Sequence, residues 1–457
     1  MGGINSTLNI AVNSLIAQQG ALNVVSNNIA NANTPGYTAE RPNLVEQTPV
    51  QYGSIVLGQG TELQSVQSLR DQVLQLQIDT QTQSQGQLNS YLGGMNQVQS
   101  LFNETQGVGL QNVMSQFFNS LQSLSTDPTS TPLRQGVLSA AQNLVNAFHT
   151  ASAGLNQIQT GLDQSVGQTV TQVNQLTSQI AQVNGQIDTF TGTTNDPSAL
   201  IDQRNQLVNQ LSQLVNVSVT NASSGAFELT TSNGAALVVG NQSFNLSTKG
   251  NPSTGFQDIY TSTGTDITST LSSGQLGGLI QARDQSIPAA QTSLDTLAYN
   301  LTTAVNTQSK AGYDANGNAG TNFFTPLSGV AGSAGQISLA ISDPSLIAAS
   351  SDGTPGSNGN ALALAGIQNQ ALIGGQNVTD YYSNLVDTVG NDVSNATTQQ
   401  QTVNSVLTQL QNQQNSLSGV SIDQQAAMLV QYQNAYQASA QVVTVIQQLM
   451  QSTLNMV

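Results

Sequence analysis

The chain has no cysteine and only one histidine in 457 residues. The first absence excludes disulfides, thiolate metal sites and Cys nucleophiles. The second excludes metal sites built from histidine clusters. A Ser–His–Asp arrangement would have to use His149, which sits in Asn146-Ala147-Phe148-His149-Thr150 on an expected helix with no Ser-centred elbow, and so reads as a structural side chain. Charge is scarce as well: 7% of residues are Asp, Glu, Lys or Arg, against about 25% in an ordinary chain. Seven basic residues against twenty-three acidic ones give a net charge of −16. Nucleic acid and anionic membrane surfaces need a basic patch, so neither is an expected partner. No apolar run reaches the 18 or so residues of a membrane-spanning helix. The first basic residue is Arg41, so the positive n-region of a cleaved secretory signal is missing and any export is expected to use another route.

Catalytic patterns are missing too. There is no phosphate-cradling Gly-Lys-Ser/Thr loop. The segment Asp314-Ala315-Asn316-Gly317-Asn318 superficially suggests calcium, but an EF-hand loop needs Gly at its sixth position and Glu at its twelfth, where this chain has Ala319 and Thr325. It reads as a plain Asn/Gly turn. No spacing picks out a carboxylate pair for glycoside hydrolysis. The expectation is a non-enzyme without metal or cofactor.

Asn, Gln, Ser and Thr occupy the polar positions instead. Neutral amides bury at lower desolvation cost than ions, so such a surface can pack against copies of itself. Hydrophobic residues make up 37%, so the apolar side chains should lie in stripes. The length predicts two to four domains.

The N-terminal stretch carries a heptad. Leu8, Leu15, Leu22 and Ile29 recur every seven residues, offset from Ile4, Ala11, Gln18, Val25 and Ala32. This predicts a coiled-coil helix over residues 4–32, roughly 43 Å long at about 1.5 Å per residue. It should stop near Asn33, because Thr34 precedes Pro35 and Pro35-Gly36 makes a turn. At the other end Ile422, Ala426, Leu429, Tyr432, Tyr436, Ala440, Val443, Ile446, Met450 and Leu454 keep helical spacing, with Ser421 or Asp423 as a cap. Each narrow stripe needs a partner, and the simplest partner for one end is the other.

Between the ends, helices are expected over residues 64–103 (Val66, Leu69, Val73 and Leu76 opening its stripe, which is weak from Gln77 to Gln87), 109–124, 133–190, 198–215, 275–309 and 360–416. Asn195-Asp196-Pro197 should break the pattern. β-type alternation runs from Asn216 to about Ser273, and short strands are expected in the Gly-, Asn- and Ser-rich 311–358. The fold class is therefore mainly α with an inserted β-rich domain and terminal helices forming a coiled coil, in a discontinuous, nested layout. Residues 1–63 and 419–457 make the terminal domain, 64–215, 275–310 and 359–418 a helical middle domain, and 216–274 with 311–358 a small β-rich outer domain.

Residues 26–37, Ser26-Asn27-Asn28-Ile29-Ala30-Asn31-Ala32-Asn33-Thr34-Pro35-Gly36-Tyr37, resemble the N-terminal signature of flagellar rod, hook and hook-associated proteins. The run Tyr432-Gln433-Asn434-Ala435-Tyr436-Gln437-Ala438-Ser439 resembles the matching C-terminal end. Within that superfamily, Leu200-Ile201-Asp202-Gln203-Arg204-Asn205-Gln206-Leu207-Val208 is similar to a segment of the hook-associated protein 1 family, with Asn205 where the family more often has Asp. Gly277-Gly278-Leu279-Ile280-Gln281-Ala282-Arg283-Asp284, Gly312-Tyr313-Asp314-Ala315-Asn316-Gly317 and Phe323-Phe324 add to that likeness. The chain looks shorter than some members, which reads as a reduced outer β domain.

The resemblance implies a structural protein of the hook–filament junction. It implies self-assembly in a ring through the paired terminal helices, and export through the flagellum's own channel without a cleaved signal. It further implies the hook protein and the second hook–filament junction protein as neighbours, and an export chaperone on the C-terminal helix. The assembly residues would be Leu8, Leu15, Leu22, Ile29, Leu429, Tyr436, Val443, Met450 and Leu454. The family signature would be Asn27, Asn28, Asn31, Asn33, Thr34, Pro35, Gly36 and Tyr37. The alternatives are a hook or distal rod protein and, from another class, a flagellum-associated peptidoglycan hydrolase.

Overall fold

The computed structural model of the chain describes residues 2–52, 55–103, 109–190, 197–221 and 227–455. Helix α1 (Gly2–Ala30) leads into two antiparallel strand pairs: β1 (Glu40–Glu46) with β4 (Thr61–Ser68), and β2 (Val50–Tyr52) with β3 (Ile55–Leu57). Then come α2 (Gln72–Leu101), α3 (Leu110–Leu124), α4 (Thr131–Asp188) and α5 (Ser198–Leu214). A four-stranded antiparallel meander follows: β5 (Val217–Asn221), β6 (Phe227–Thr231), β7 (Ala236–Val239) and β8 (Gln242–Ser243). Beside it lies the antiparallel pair β9 (Ser247–Gly250) and β10 (Gln257–Tyr260). Helix α6 (Gly274–Gln281) passes through one π-helical turn (Ala282–Ser286) into α7 (Ile287–Lys310). The short α8 (Ser333–Gln336) and α9 (Gly359–Gly366) precede two long helices, α10 (Val378–Ser418) and α11 (Ile422–Leu454). The fold is mainly α, with a strand-rich insert and long terminal helices. The expected break at Asn195 and Asp196 lies outside the described residues.

Local chemistry explains the helix starts. Ser130 caps α4 by accepting from the Leu133 N–H, and Pro132 sits in the first turn, where a missing N–H costs nothing. At 58 residues, α4 is about 87 Å long at ~1.5 Å per residue. One face carries Leu155, Leu162, Val166, Val170, Val173 and Ile180, all buried. The β5–β8 sheet rests on α4 and contributes Leu229, Leu237 and Val238 to the same core, to which Leu246 after β8 and Ile259 of β10 also belong. Phe117, Phe118, Phe323 and Phe324 form an aromatic cluster with ring centroids 5.0–6.0 Å apart. Arg283, fully buried in the π-turn, pairs with Asp163 of α4 and with Asp284, both at 2.7 Å.

Three expectations differ from the structure. Residues 360–416 are not one helix: α9 ends at Gly366 and α10 begins at Val378, and the chain turns between them through Gly374 and Gly375 at φ +56° and +84°. Residues 64–103 do not make one helix: 61–68 are a strand paired with β1, and α2 begins where Asp71 accepts from the N–H groups of Val73 and Leu74. Leu63, Val66 and Leu69 are three apart, as on a helix; in the strand a register shift opposite Asn43 and Leu44 skips Gln64 and permits that spacing, and Leu69 lies just beyond the strand. Val73 is 66% exposed, and the buried residues of this turn are Leu74 and Ile78. Residues 311–358 hold isolated bridges and turns, with α8 in between, rather than paired strands. They pack on the helices: α8 lies against α7 and α4, and Phe323 and Phe324 are buried against Phe117. Phe-Phe followed by small residues reads locally as strand, but its apolar partners are on helices far off in sequence.

The lower part of the α2–α10 pair is held differently. The main core runs from Leu88 to Ala396; below it only Leu74, Ile78 and Leu407 make a small second cluster. Amide hydrogen bonds stitch the two helices: Gln414 to Gln75 (2.9 Å), Gln85 to Asn404 (2.7 Å) and Gln400 to Asn89 (2.6 Å). Every step forward on α2 is matched by an equal step back on α10, so the pair is antiparallel and in constant register. This is why the apolar stripe fades between Gln77 and Gln87.

Asp79 is buried within this region. Its Oδ1 accepts from both Gln75 and Asn209. Burial nevertheless outweighs those bonds and pushes the carboxyl up to about 6. A carboxyl raised in the folded state favours folding below its unfolded value near 4, and that contribution is lost as pH rises through about 6. Asp79→Asn keeps the Oδ1 acceptor and both amide bonds while removing the buried charge. It is expected to stabilise the protein at pH 7.5 by about 2–3 kcal/mol, from a shift of about two pKa units at ~1.4 kcal/mol each, and to do little at pH 4. Urea midpoints of both proteins at the two pH values check this; equal midpoints at pH 7.5 would refute it.

Candidate assembly site

The terminal helices α1 and α11 pack on each other. Ser14 and Ser439 share a hydrogen bond (3.0 Å), and Asn28 donates to Gln425 Oε1 (3.1 Å). The contacts are fourteen residues apart on each helix and run in opposite directions, so the pair is antiparallel and in register. Neither helix contributes a residue to either apolar core.

Leu8, Leu15, Leu22 and Ile29 are only half-buried in this pair. The fully buried positions of α1 are the smaller residues Ala11, Ala17, Ala21, Val24 and Val25, together with Asn28. Small residues let α1 lie close to β1 and β4 as well as to α11. On α11, Leu429, Val443 and Met450 are half-buried, whereas Tyr436 is 37% and Leu454 77% exposed. The first three therefore share the inner face with Gln425 and Ile446, and Tyr436 and Leu454 stay outside it.

The segment after α1 folds around Asn28, which is fully buried. Its amide donates to the Glu40 carbonyl (2.7 Å) and to Gln425, while its Oδ1 accepts from the Glu40 N–H (2.9 Å) and the Tyr37 hydroxyl (2.8 Å). Burial first, then the negative charges of Glu40 and Asp202, raises the Tyr37 phenol, which keeps its proton for that bond. Asn31 donates to Asn27, and Thr34 donates to Asn31. Gly36 has φ +80°, which a Cβ would strain, and faces Gln206. Asn33 and Pro35 are exposed.

A second knot ties this turn to the middle of the chain. The carboxylate of Asp202 accepts from the Thr38 N–H and hydroxyl, both at 2.9 Å, and pairs with Arg70. Next to it the Ala39 N–H donates to the Ser418 carbonyl (2.8 Å), the Leu69 N–H to the Ala39 carbonyl (2.9 Å) and the Ser418 hydroxyl to the Leu69 carbonyl (2.7 Å). Four passages of the chain thus cross at one point, where the terminal pair meets the helical middle. A cavity of about 350 Å³ lies there, lined by Tyr37, Thr38, Arg70, Asp202, Gln411 and Gln414 among others. Sequence reasoning named Asn28 and Tyr37 but missed the roles of Gln425, Arg70 and Ser418. Asp202 fell within a segment singled out for resemblance, without any sign that it would reach the signature turn.

Two other readings take their places. His149 Nε2 bonds the Ile337 carbonyl at 2.8 Å, as a structural residue would. The Oδ1 of Asp314 accepts from the N–H groups of Asn316 and Asn318, closing a turn with Gly317 at φ +77°.

Comparison with known proteins decides the family. The model described as the flagellar hook-associated protein FlgK helical domain matches residues 95–324. The chain belongs to the FlgK family. The model of the flagella basal body rod protein matches residues 8–38 of this FlgK-family chain, which covers most of α1 and the signature turn. Curated relatives named flagellar hook-associated protein 1 match over nearly the whole chain. That of Bacillus subtilis (strain 168) is 28% identical over 98% of this chain and 97% of its own. That of Escherichia coli (strain K12) is 28% identical over 99% of this chain and 100% of its own. The solved structure of the flagellar hook junction protein FlgK from Burkholderia pseudomallei shares the fold, with a TM-score of 0.67 at 20% identity, covering 75% of this chain and 100% of that one. FlgK proteins are structural flagellar proteins, so this chain is a structural component of the bacterial flagellum at the hook–filament junction, and not an enzyme. The hydrolase reading falls with that, and the rod-protein reading accounts only for the N-terminal segment.

Proposed function

We propose that residues 1–63 and 419–457 form the adhesive unit of this junction protein and that the rest is spacer and adaptor. The observation that carries this is where apolar surface remains exposed. α11 packs on α1 through one face, and Ile422, Val430, Val442, Val445 and Leu449 lie uncovered on it, 43–55% exposed. Val12 and Ile16 are exposed on α1, and Val50, Val56 and Leu57 on the hairpin. Among the described residues of 64–418, Leu69, Val73, Leu76 and Leu417 are also exposed, but these lie where the helical middle meets the terminal pair; beyond them only Tyr313, Leu362 and Val406 carry large exposed apolar side chains. Fully burying an exposed Val or Leu contributes about 1.5–3 kcal/mol; the four on α11 from Val430 to Leu449 are about half exposed, so covering them gives about 3–6 kcal/mol. Association costs about 4–15 kcal/mol. One contact is therefore marginal, whereas a ring in which every copy has two neighbours holds together.

In this reading the exposed stripe packs on neighbouring copies, and the ring meets the hook protein on one side and the second junction protein on the other. Before export, through the flagellum's own channel and without a cleaved signal, a chaperone covers the same stripe on α11. The double variant Val442→Asp with Leu449→Asp is expected to melt close to the wild type, since both residues are about half exposed and belong to neither apolar cluster, and to fail to incorporate at the hook tip. Immunolabelling of hook tips and filament counts check this. Normal filaments on cells carrying only the double variant would sink the reading.

A further inference from the structure

The terminal unit and the helical middle are two bodies that share no core. Helices α1 and α11 and strands β1–β4 pack among themselves. Among the described residues, none of 1–68 or 419–457 belongs to either apolar cluster or packs against one. The chain passes between the two bodies twice, after β4 and after α10. Both links are tied to Ala39. The Leu69 N–H donates to its carbonyl, its own N–H donates to the Ser418 carbonyl, and the Ser418 hydroxyl closes the ring on the Leu69 carbonyl. Beside this knot stands the Asp202 carboxylate of α5, which Arg70 holds and which accepts from the Thr38 N–H and hydroxyl at 2.9 Å each. Thr38 and Asp202 are buried, so bulk water is kept from those bonds. The cavity of about 350 Å³ lies alongside, between the signature turn and the middle. Its wall includes Asn205, Gln206, Gln411 and Asn415, whose side chains make no hydrogen bond among the described residues.

We propose that the terminal pair sits on a latched swivel. The Ala39–Leu69–Ser418 knot is the pivot, and the Thr38–Asp202 contact is the latch that holds one orientation in the free chain. Bodies joined without a large apolar interface move relative to each other by default, so the latch is what sets the angle. Once it opens, the cavity gives the signature turn room to swing, and the unspent amides along its wall offer new partners. A close-packed core shared by the two bodies could not slide this way without unpacking. A subunit whose terminal pair and middle both meet neighbours can then adjust one to the other on assembly. The swivel goes beyond the adhesive reading and holds whichever face of α11 a neighbour covers. Asp202 is in this account a positioning residue, acting on the angle of the terminal pair through Thr38.

The chain has no cysteine, so spin labels can be placed on the full-length monomer at will. Gln399→Cys on α10 and Gln433→Cys on α11, both at exposed positions, report the angle between the bodies by pulsed electron-spin distance measurement. Asn9→Cys with Gln433→Cys reports whether α1 and α11 stay together. With the latch intact, the Gln399→Cys/Gln433→Cys pair is expected to give one narrow distance. Thr38→Val removes one of the two latch bonds. A hydrogen bond to a charged group is worth about tenfold or more in population, so the fraction outside the main distance should rise about tenfold. Asp202→Ala removes both bonds and should raise it further. The Asn9→Cys/Gln433→Cys distance should stay as it was in either background. Three results would overturn the proposal: a broad distribution with the latch intact, distributions in both latch variants as narrow as the parent's, or equal broadening in the α1–α11 control, which would mean that the pair had come apart and not turned.

Discussion

Gly278→Ala is expected to melt far below the wild type, despite being a favourable helix substitution on paper. In α6, a Cβ at 278 would lie 2.1 Å from the Gln87 carbonyl oxygen and 2.9 Å from both the Gln87 carbon and the Tyr91 nitrogen. These are backbone atoms in the middle of α2, and they cannot rotate aside. Ala gains about 1 kcal/mol over Gly in helix propensity, but the methyl can be housed only by moving α6 away from α2. That opens the layer between Leu88, Tyr91 and Leu92 on one side and Leu276, Leu279 and Ile280 on the other, all buried. Overpacking alone costs about 1–3 kcal/mol, and separating two packed helices adds cavity terms, so a net loss of about 3–5 kcal/mol is expected. A denaturant midpoint equal to that of the wild type would show that α6 and α2 are not in close contact.

Asn28→Ala is expected to act at the other end and on assembly instead. Truncation strips partners from the Glu40 N–H and carbonyl, the Gln425 side chain and the Tyr37 hydroxyl. Each polar group left unsatisfied costs about 1–3 kcal/mol where it is buried, and with part of this cluster reached by water the total is about 3–5 kcal/mol. Among the described residues the terminal pair belongs to neither apolar cluster, and its buried apolar residues are mostly small, Ala11, Ala17, Ala21, Val24 and Val25. The turn should come loose from α11, both termini should be cleaved quickly by protease in the monomer, and the middle should melt unchanged. Incorporation at the hook tip should be lost. Leu22, half-buried, gives a milder contrast as Leu22→Ala. Wild-type protease resistance in Asn28→Ala would place the hold on α11 elsewhere.

The helices were legible because their stripes are long. Over α4 the apolar residues keep one face for many turns, and no other period fits them. The strand β4 was not legible, since its apolar residues Leu63 and Val66 are three apart, which is helical spacing, and the register shift that allows this in the strand is set by pairing with β1. The N-terminal heptad was only half legible. Leu8, Leu15, Leu22 and Ile29 mark the right helix, but closeness to β1, β4 and α11 selected the small residues between them for burial, and size is invisible to a pattern that counts only apolar against polar. The Asn28 turn could be recognised by resemblance. The contacts that explain it, to Gln425 and from Thr38 to Asp202, span 397 and 164 residues, and no local pattern announces them.

A reconstruction of the intact hook–filament junction by electron cryo-microscopy tests the central claim most directly. The account predicts that the α1–α11 pair lines the innermost layer of the ring, with Val442, Val445 and Leu449 covered by a neighbouring copy and the β5–β8 sheet outside. A junction in which that stripe stays in water while copies touch through the sheet would contradict it.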